Sequence, residues 1–206
     1  MDSLKNFLMQ FVPKKKTDAP TFATTPKDLV LESPYKIRNP DRIYLGDNIR
    51  LGPYCVFMPI TQYPTKYMQH KDYTTDIQKF DSKIVIGNAV TATAGLQIAA
   101  QEKVIIEDHV MFASNVFIND GSHGYETAEI PYKYQPILKI APVIIRSGCW
   151  IGQNVVVAPG VEIGMNSIIG ANSVVTHSIP EKAIAFGAPA RVVKLWNDET
   201  KTWVPV

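Results

Sequence analysis

Leucine is scarce in this chain, with 9 residues against 22 isoleucines and 19 valines among 206. Leucine is normally the commonest residue and a good helix former. Its scarcity argues against a helical core, and the β-branched excess argues for strands. Cysteine is scarcer still: Cys55 and Cys149 allow one disulfide at most, which excludes a disulfide-stapled scaffold. Leu8 to Val12 is too short for the apolar core of a secretory signal, and no apolar run reaches the ~20 residues that span a bilayer. A cytoplasmic protein with free thiols is therefore expected. Charge is thin as well. Charged residues make up 19% with a net charge of +2, which leaves no basic stripe to neutralise phosphates, so nucleic acid is not an expected partner. The remaining composition, 46% hydrophobic, fits one soluble domain or one plus a small appendage.

What the sequence does have is a period of six. Ile145, Ile151, Val157, Ile163, Ile169 and Val175 stand six residues apart, and all are β-branched. Gly152, Gly164 and Gly170 follow three of them, at slots where a sharp corner would want positive φ. Four residues after successive aliphatics come Cys149, Val155, Val161, Ser167 and Ser173, each small or β-branched. Strands repeat every two residues and helices every 3.6, so neither explains six. A coil of short flat sides between tight corners does, because first-position aliphatics then stack from coil to coil. Weaker copies run in shifted registers: Leu45-Gly46, Leu51-Gly52 and Phe57; Ile86-Gly87, Ala92 and Ile98; Ile106-Glu107, Phe112 and Ile118. Three units per turn and strand spacing near 4.8 Å predict a prism of some five coils, roughly 25 Å tall.

The register slips place two inserts, residues 61–83 and 119–144. The first is polar and rich in tyrosine, and the second carries Pro131, Pro136 and Pro142. Long loops leaving a regular coil carry function more often than they fill space. The resulting organisation is an N-terminal segment 1–42 with a short amphipathic helix, a coil domain 43–194 and a tail 195–206. Leu4, Phe7, Leu8, Phe11 and Val12 have helical spacing and precede Lys14-Lys15-Lys16. Such a helix either caps the open end of a coil or lies on a membrane, a peripheral contact through residues 4–16 at the inner face. Leu195-Trp196 and Trp203-Val204 flank a polar segment and fit a short hairpin or a docked tail.

The run Trp150-Ile151-Gly152-Gln153-Asn154-Val155, Pro159-Gly160-Val161, Ile163-Gly164, Ile169-Gly170-Ala171, Ser173-Val174-Val175-Thr176, Ile179-Pro180 and Gly187 to Lys194 resembles the hexapeptide-repeat acyltransferases. Within them it is most similar to sugar O-acetyltransferases of the maltose and galactoside type and their polysaccharide O-acetylating relatives. The match is dense over residues 104–194 and thin over 43–103. The resemblance implies that the coil is a left-handed parallel β-helix, which with the N-terminal helical segment and the long loop read above makes an all-β fold. It also implies a homotrimer with active sites between neighbouring prisms, acetyl-CoA as co-substrate and no metal.

The same resemblance assigns His123, in Asn119-Asp120-Gly121-Ser122-His123-Gly124-Tyr125, as the catalytic base. Acetyl transfer to a hydroxyl needs one, because a neutral alcohol is a poor nucleophile toward a thioester and imidazole accepts protons near neutral pH. Asp120, Glu126 and Glu129 are candidates to orient it. Asn119, Asp120, Tyr125 and Glu126 are candidates to bind a sugar or glycan acceptor, and Tyr125, Tyr132 and Tyr134 could form a stacking wall. Coenzyme contacts carried over from the family are Trp150 against the pantetheine arm, Ala171 and Thr176 along the coil edge, and Arg191 and Lys194 on the phosphates. Two positions depart from the family: Ala92-Thr93-Ala94 stands where some relatives place an asparagine, and His177 replaces a lysine. Cys55 and Cys149 fall in the inward slots of their hexads, which favours direct transfer over an acyl-enzyme.

Two other readings compete. An amino-sugar N-acetyltransferase would use the same histidine. A metalloenzyme of the γ-carbonic anhydrase type would need about three ligands with two histidines five apart, and the positions five either side of His123 are Ile118 and Ala128.

Overall fold

The structure, a computed structural model, describes residues 20–65, 68–73 and 76–206. The amphipathic stretch 4–16 lies outside the described residues. Strand pairing winds the chain into a three-sided coil. Face one stacks Ile43–Leu45, Lys83–Ile86, Lys103–Ile106, Val143–Ile145 and Glu162–Ile163. Face two stacks Val30–Leu31, Arg50–Leu51, Thr91–Ala92, Met111–Phe112, Trp150–Ile151, Ile168–Ile169 and Ala183–Gly187. Face three stacks Lys36–Ile37, Val56–Pro59, Gln97–Ala100, Phe117–Asn119, Val156–Val157 and Val174–Val175. The chain visits the faces in that cyclic order, and successive strands on each face pair in parallel. Ile145 pairs with Ile163, Ile151 with Ile169 and Val157 with Val175, so one turn is three six-residue units.

The period of six is thus a packing rule. Leu51, Phe112, Ile151 and Ile169 point inward from face two, and Phe57, Ile98, Ile118, Val157 and Val175 from face three; all are at most 1% exposed. Each such side chain contributes about 1.5–3 kcal/mol by leaving water. Cys55 and Cys149 lie in this core, and burial pushes both thiols up, that of Cys149 to about 11. Buried, protonated thiols are poor nucleophiles.

The corners depart from expectation. Gly152, Gly164 and Gly170 do not have positive φ; the left-handed residue comes two positions later, at Asn154 (59°), Asn166 (55°) and Asn172 (60°). The same slot holds Asn48, Tyr54, Ala89, His109, Asn115 and Gly148. Asparagine tolerates that conformation better than most side chains. The glycines are required instead because the next coil passes directly against them. A Cβ on Gly152 would lie 2.6 Å from the Ala171 nitrogen, and one on Gly52 only 1.8 Å from the Thr93 carbonyl oxygen.

The coil also starts earlier than residue 43. Val30–Leu31 pairs with Arg50–Leu51, and Lys36–Ile37 with Val56–Phe57, so 30–37 already forms a partial turn. Two-residue strands without the glycine-marked register left no period to detect. At the other end, Ala190–Asn197 runs antiparallel to Ala183–Gly187 and to Thr202–Pro205. The tail is therefore a hairpin, with Trp196 and Trp203 edge to face at 5.4 Å, and residue 194 lies inside its first strand instead of at a boundary.

Both inserts leave the coil from one edge, after face three and before face one. The first returns at Lys83 and carries the antiparallel pair Gln62–Tyr63 and Gln78–Lys79. The second returns at Val143 and carries Ser122–His123 paired with Ile137–Leu138. Between them the intervening coil turns the same edge tightly at Gln101 and Glu102.

Candidate active site

His123 is exposed at the root of the second insert, and its backbone is held by pairing with Ile137. The first insert grips that partner strand. The Gln78 side-chain amide donates to the Ile137 carbonyl at 3.0 Å and accepts from the Ile137 N–H at 2.7 Å. Two loops separated by a whole coil in sequence are thereby tied together at the histidine.

The first insert also fixes the ring. Tyr63 is 5% exposed and meets His123 edge to face, with ring centroids 5.2 Å apart. Its hydroxyl donates to the Lys133 carbonyl and lies 3.2 Å from His123 Nδ1. Burial holds the phenol above its ordinary titration range, so the hydroxyl stays protonated at neutral pH. A phenol has one proton, and a carbonyl can only accept. The tyrosine oxygen must therefore accept from Nδ1–H, which leaves the lone pair on Nε2. The arrangement presents a proton acceptor at a known ring atom.

Nε2 belongs to a residue that borders a cleft of about 570 Å³, a size suited to a small ligand. Besides His123 and Tyr63, the cleft is lined by Arg38, Asn39, Thr61 and Gln101, with apolar Met58 and Ile137. Of these, the sequence motifs point to His123 alone. Arg38, Tyr63 and Gln101 come from three different coils, and the hexad pattern marks none of them.

Several candidates for the site have other employment. Asp120 is fully buried, and its carboxylate accepts N–H bonds from Gln101 at 2.6 Å, Glu102 at 2.8 Å and Lys103 at 2.6 Å. Burial raises its carboxyl from the usual range while these donors pull it back. Asp120 is thus neither an acceptor ligand nor the group that orients His123; it clamps the tight corner between the inserts. Asn119 turns its side-chain oxygen to the Gly121 N–H at 3.1 Å. Tyr125 is exposed under Lys139 Nζ, 4.5 Å from the ring centroid, and neither it nor Glu126 or Glu129 lines the cleft. Tyr134 stacks on Tyr73 of the first insert at 4.9 Å, so its ring joins the loops and leaves Tyr132 and Tyr125 without a common wall.

The positions proposed for a coenzyme fall in two places. Trp150, 47% exposed, stands on the outer side of face two between Met111 and Ile168. The ladder continues through Ile184 to Lys194, three steps or about 14 Å away. Thr176 and His177 lie on the edge between faces three and one, two coils beyond the His123 insert, and His177 shares a shallow cleft with Arg191. Ala171 follows face two at the corner where the next coil passes Gly152. In a triangular prism the edge between faces three and one is opposite face two. One chain therefore holds Trp150 and His123 on opposite sides. Among the described residues, no group of three or more His, Cys, Asp or Glu could hold a metal ion, and no helix is long and apolar enough to cross a membrane.

Residues 142–177 match the family described as bacterial transferase hexapeptide (six repeats). The chain is similar to hexapeptide-repeat transferases over that stretch and to proteins named as O-acetyltransferases over somewhat more than half its length. It is 40% identical over 114 residues to a putative lipopolysaccharide biosynthesis O-acetyl transferase, WbbJ, of Escherichia coli K12, covering 52% of this chain and 58% of that protein. It is 38% identical over 124 residues to the galactoside O-acetyltransferase of the same strain, covering 59% of each. The chain thus spans a little under six-tenths of the length of these curated relatives. Among solved structures, a galactoside acetyltransferase in complex with coenzyme A aligns with TM-score 0.52 at 39% identity over 57% of each chain. A mutant of AntD, an N-acyltransferase from Bacillus cereus in complex with dTDP and coenzyme A, aligns over 97% of this chain and 91% of its own with TM-score 0.68 at 20% identity, a likeness of fold.

Proposed function

We propose that this protein transfers acetyl from acetyl-CoA to a hydroxyl of a sugar or glycan precursor, directly, with His123 as general base. The observation that carries the reading is His123 itself. Its Nδ1 is engaged by Tyr63, its Nε2 has no partner among the described residues, and it borders a cleft on the edge of a hexapeptide coil. Acetyl-CoA supplies an acetyl group already activated as a thioester. Nε2 takes the acceptor's hydroxyl proton as the oxygen bonds to the thioester carbonyl carbon, and returns the proton to sulfur as the C–S bond breaks. Buried Cys55 and Cys149 support transfer without an acyl-enzyme. The donor places the reaction in the cytoplasm.

A trimeric assembly belongs to the same reading, as does the left-handed sense of the coil. Trp150 and Lys194 on face two can contribute to the site of His123 only if face two of one protomer abuts the insert-bearing edge of the next. Ala171, Thr176 and Arg191 then line the path of the coenzyme between protomers. Sedimentation of the purified protein at the trimer mass checks this.

Incubation of the chain with labelled acetyl-CoA and matched hydroxyl and amino sugars tests the chemistry. Label is expected as an alkali-labile ester on the hydroxyl sugar. Label found only as an alkali-stable amide would replace O-transfer by amino-sugar N-acetylation, and no transfer to either would end the acetyltransferase reading.

Tyr63→Phe removes the acceptor for Nδ1–H while keeping the ring. Loss of one such hydrogen bond is worth about 1–1.5 kcal/mol, so kcat is expected to fall about tenfold with the KM for acetyl-CoA unchanged. Equal kcat in the variant would mean that the tyrosine does not set the tautomer.

A further inference from the structure

We propose that the acceptor carries an anionic group, a carboxylate or a phosphate, and that Arg38 is its counter-charge in the cleft at His123. The inference rests on the acetyltransferase reading for the acceptor's role and on the cleft alone for its charge.

Arg38 is placed with some care by the fold. It follows Lys36–Ile37 on face three, its N–H donates to the Phe57 carbonyl at 3.0 Å, and the next residue, Asn39, donates its side-chain amide to the Pro59 carbonyl at 2.8 Å. The backbone on both sides of the arginine is thus pinned to the coil below. Its guanidinium, by contrast, is unengaged among the described residues. The chain has five arginines. Arg42 pairs with Asp81 at 2.7 Å, Arg146 with Glu107 and Glu162 at 2.7 and 2.8 Å, and Arg50 and Arg191 donate to backbone carbonyls at 3.1 and 3.0 Å. Among the described residues Arg38 is the one arginine whose guanidinium has no acceptor, side-chain or backbone, and it lines the cleft that His123 lines. A planar guanidinium matches a carboxylate or phosphate through two parallel hydrogen bonds.

Among the described residues lining the cleft there is no Asp and no Glu. It does hold a second polar group without a partner. Gln101 is 6% exposed, lines the same cleft, and its side-chain oxygen is buried with no hydrogen-bond donor among the described residues. It lies over Gly121, where a Cβ would come within 2.8 Å of that oxygen, so the glycine leaves room for the amide. A buried amide oxygen without a donor costs about 1–3 kcal/mol, and a sugar hydroxyl would satisfy it. A free cation and an unsatisfied amide, one coil above and one coil below the first insert, describe a ligand with an anionic group and neighbouring hydroxyls.

Calorimetric titration of the chain with glucose, glucose 1-phosphate and glucuronate tests the charge without requiring turnover. At least one of the two anionic sugars is expected to bind about ten- to a hundredfold more tightly than glucose. Which of the two does so separates phosphate from carboxylate. Arg38→Gln should bring that ratio to about one, and Arg38→Lys should keep most of it. Equal binding of all three sugars would overturn the proposal. So would a preference that survives Arg38→Gln, or one lost equally in Arg38→Lys. If the preference is present but acetyl transfer is absent, the acetyltransferase reading fails and the anionic site stands.

Discussion

Replacing His123 by alanine should lower kcat for acetyl transfer by about 10² to 10⁴, with little change in the KM for acetyl-CoA. The expectation follows from where the proton must go. An alcohol does not ionise near neutral pH, so its oxygen becomes a competent nucleophile only as the proton leaves. In this cleft Nε2 of His123 is the ring atom left free to take it, because Tyr63 engages Nδ1. His123 is exposed, and its ring meets Tyr63 without filling the core, so the alanine variant should fold and keep the wild-type oligomeric mass. Added imidazole can enter the space left by the ring and should restore part of the rate. A variant within tenfold of wild type would assign the base elsewhere.

Asp120→Ala should be the most damaging polar substitution for stability. The wild-type carboxylate accepts three consecutive backbone N–H bonds at 2.6–2.8 Å in a site closed to solvent. Alanine leaves those donors without their acceptor, at about 1–3 kcal/mol for each that water cannot reach. A loss of about 3 kcal/mol is expected, which is large against a total of 5–15 kcal/mol. At about 2–4 °C per kcal/mol for a domain of this size, the Tm should fall by about 6–12 °C at fixed protein concentration. Asp120→Asn keeps one acceptor but turns an NH₂ group toward the remaining donors, so it should recover at most part of the loss. The clamp sits three residues before His123 and holds the corner bearing Gln101, so activity below the melting range should fall as well. Unchanged melting would mean that water replaces the carboxylate without cost.

The coil was legible in the sequence because its signal is local and repeated. Every six residues an aliphatic must point inward, and six consecutive agreements from Ile145 to Val175 leave one arrangement that satisfies them. The inserts were legible for the complementary reason, as breaks in that register. The glycines were read correctly as required but for the wrong reason. Composition shows that a corner needs a small residue, but not that the demand comes from a neighbouring coil 18 residues away while the left-handed conformation falls two positions later on asparagine. The first turn at 30–37 was invisible because two strands of two residues are too short to carry a period.

The candidate site divides in the same way. His123 could be found because the motif around it resembles a family. Asp120, three residues upstream, was misassigned: proximity in sequence made it look like a neighbour of the histidine, whereas the fold turns it inward onto residues 101–103. Sequence alone thus determined the period, the strands, the core and the place of the inserts, all of which depend on residues within a few hexads of one another. Only the tertiary structure decided that Arg38, Tyr63, Gln101 and His123 meet, because stacking successive coils at about 4.8 Å brings onto one edge residues separated by 22 to 85 positions in the chain. The same stacking put Trp150 on the face opposite that edge, which no reading of the motif in one dimension could reveal.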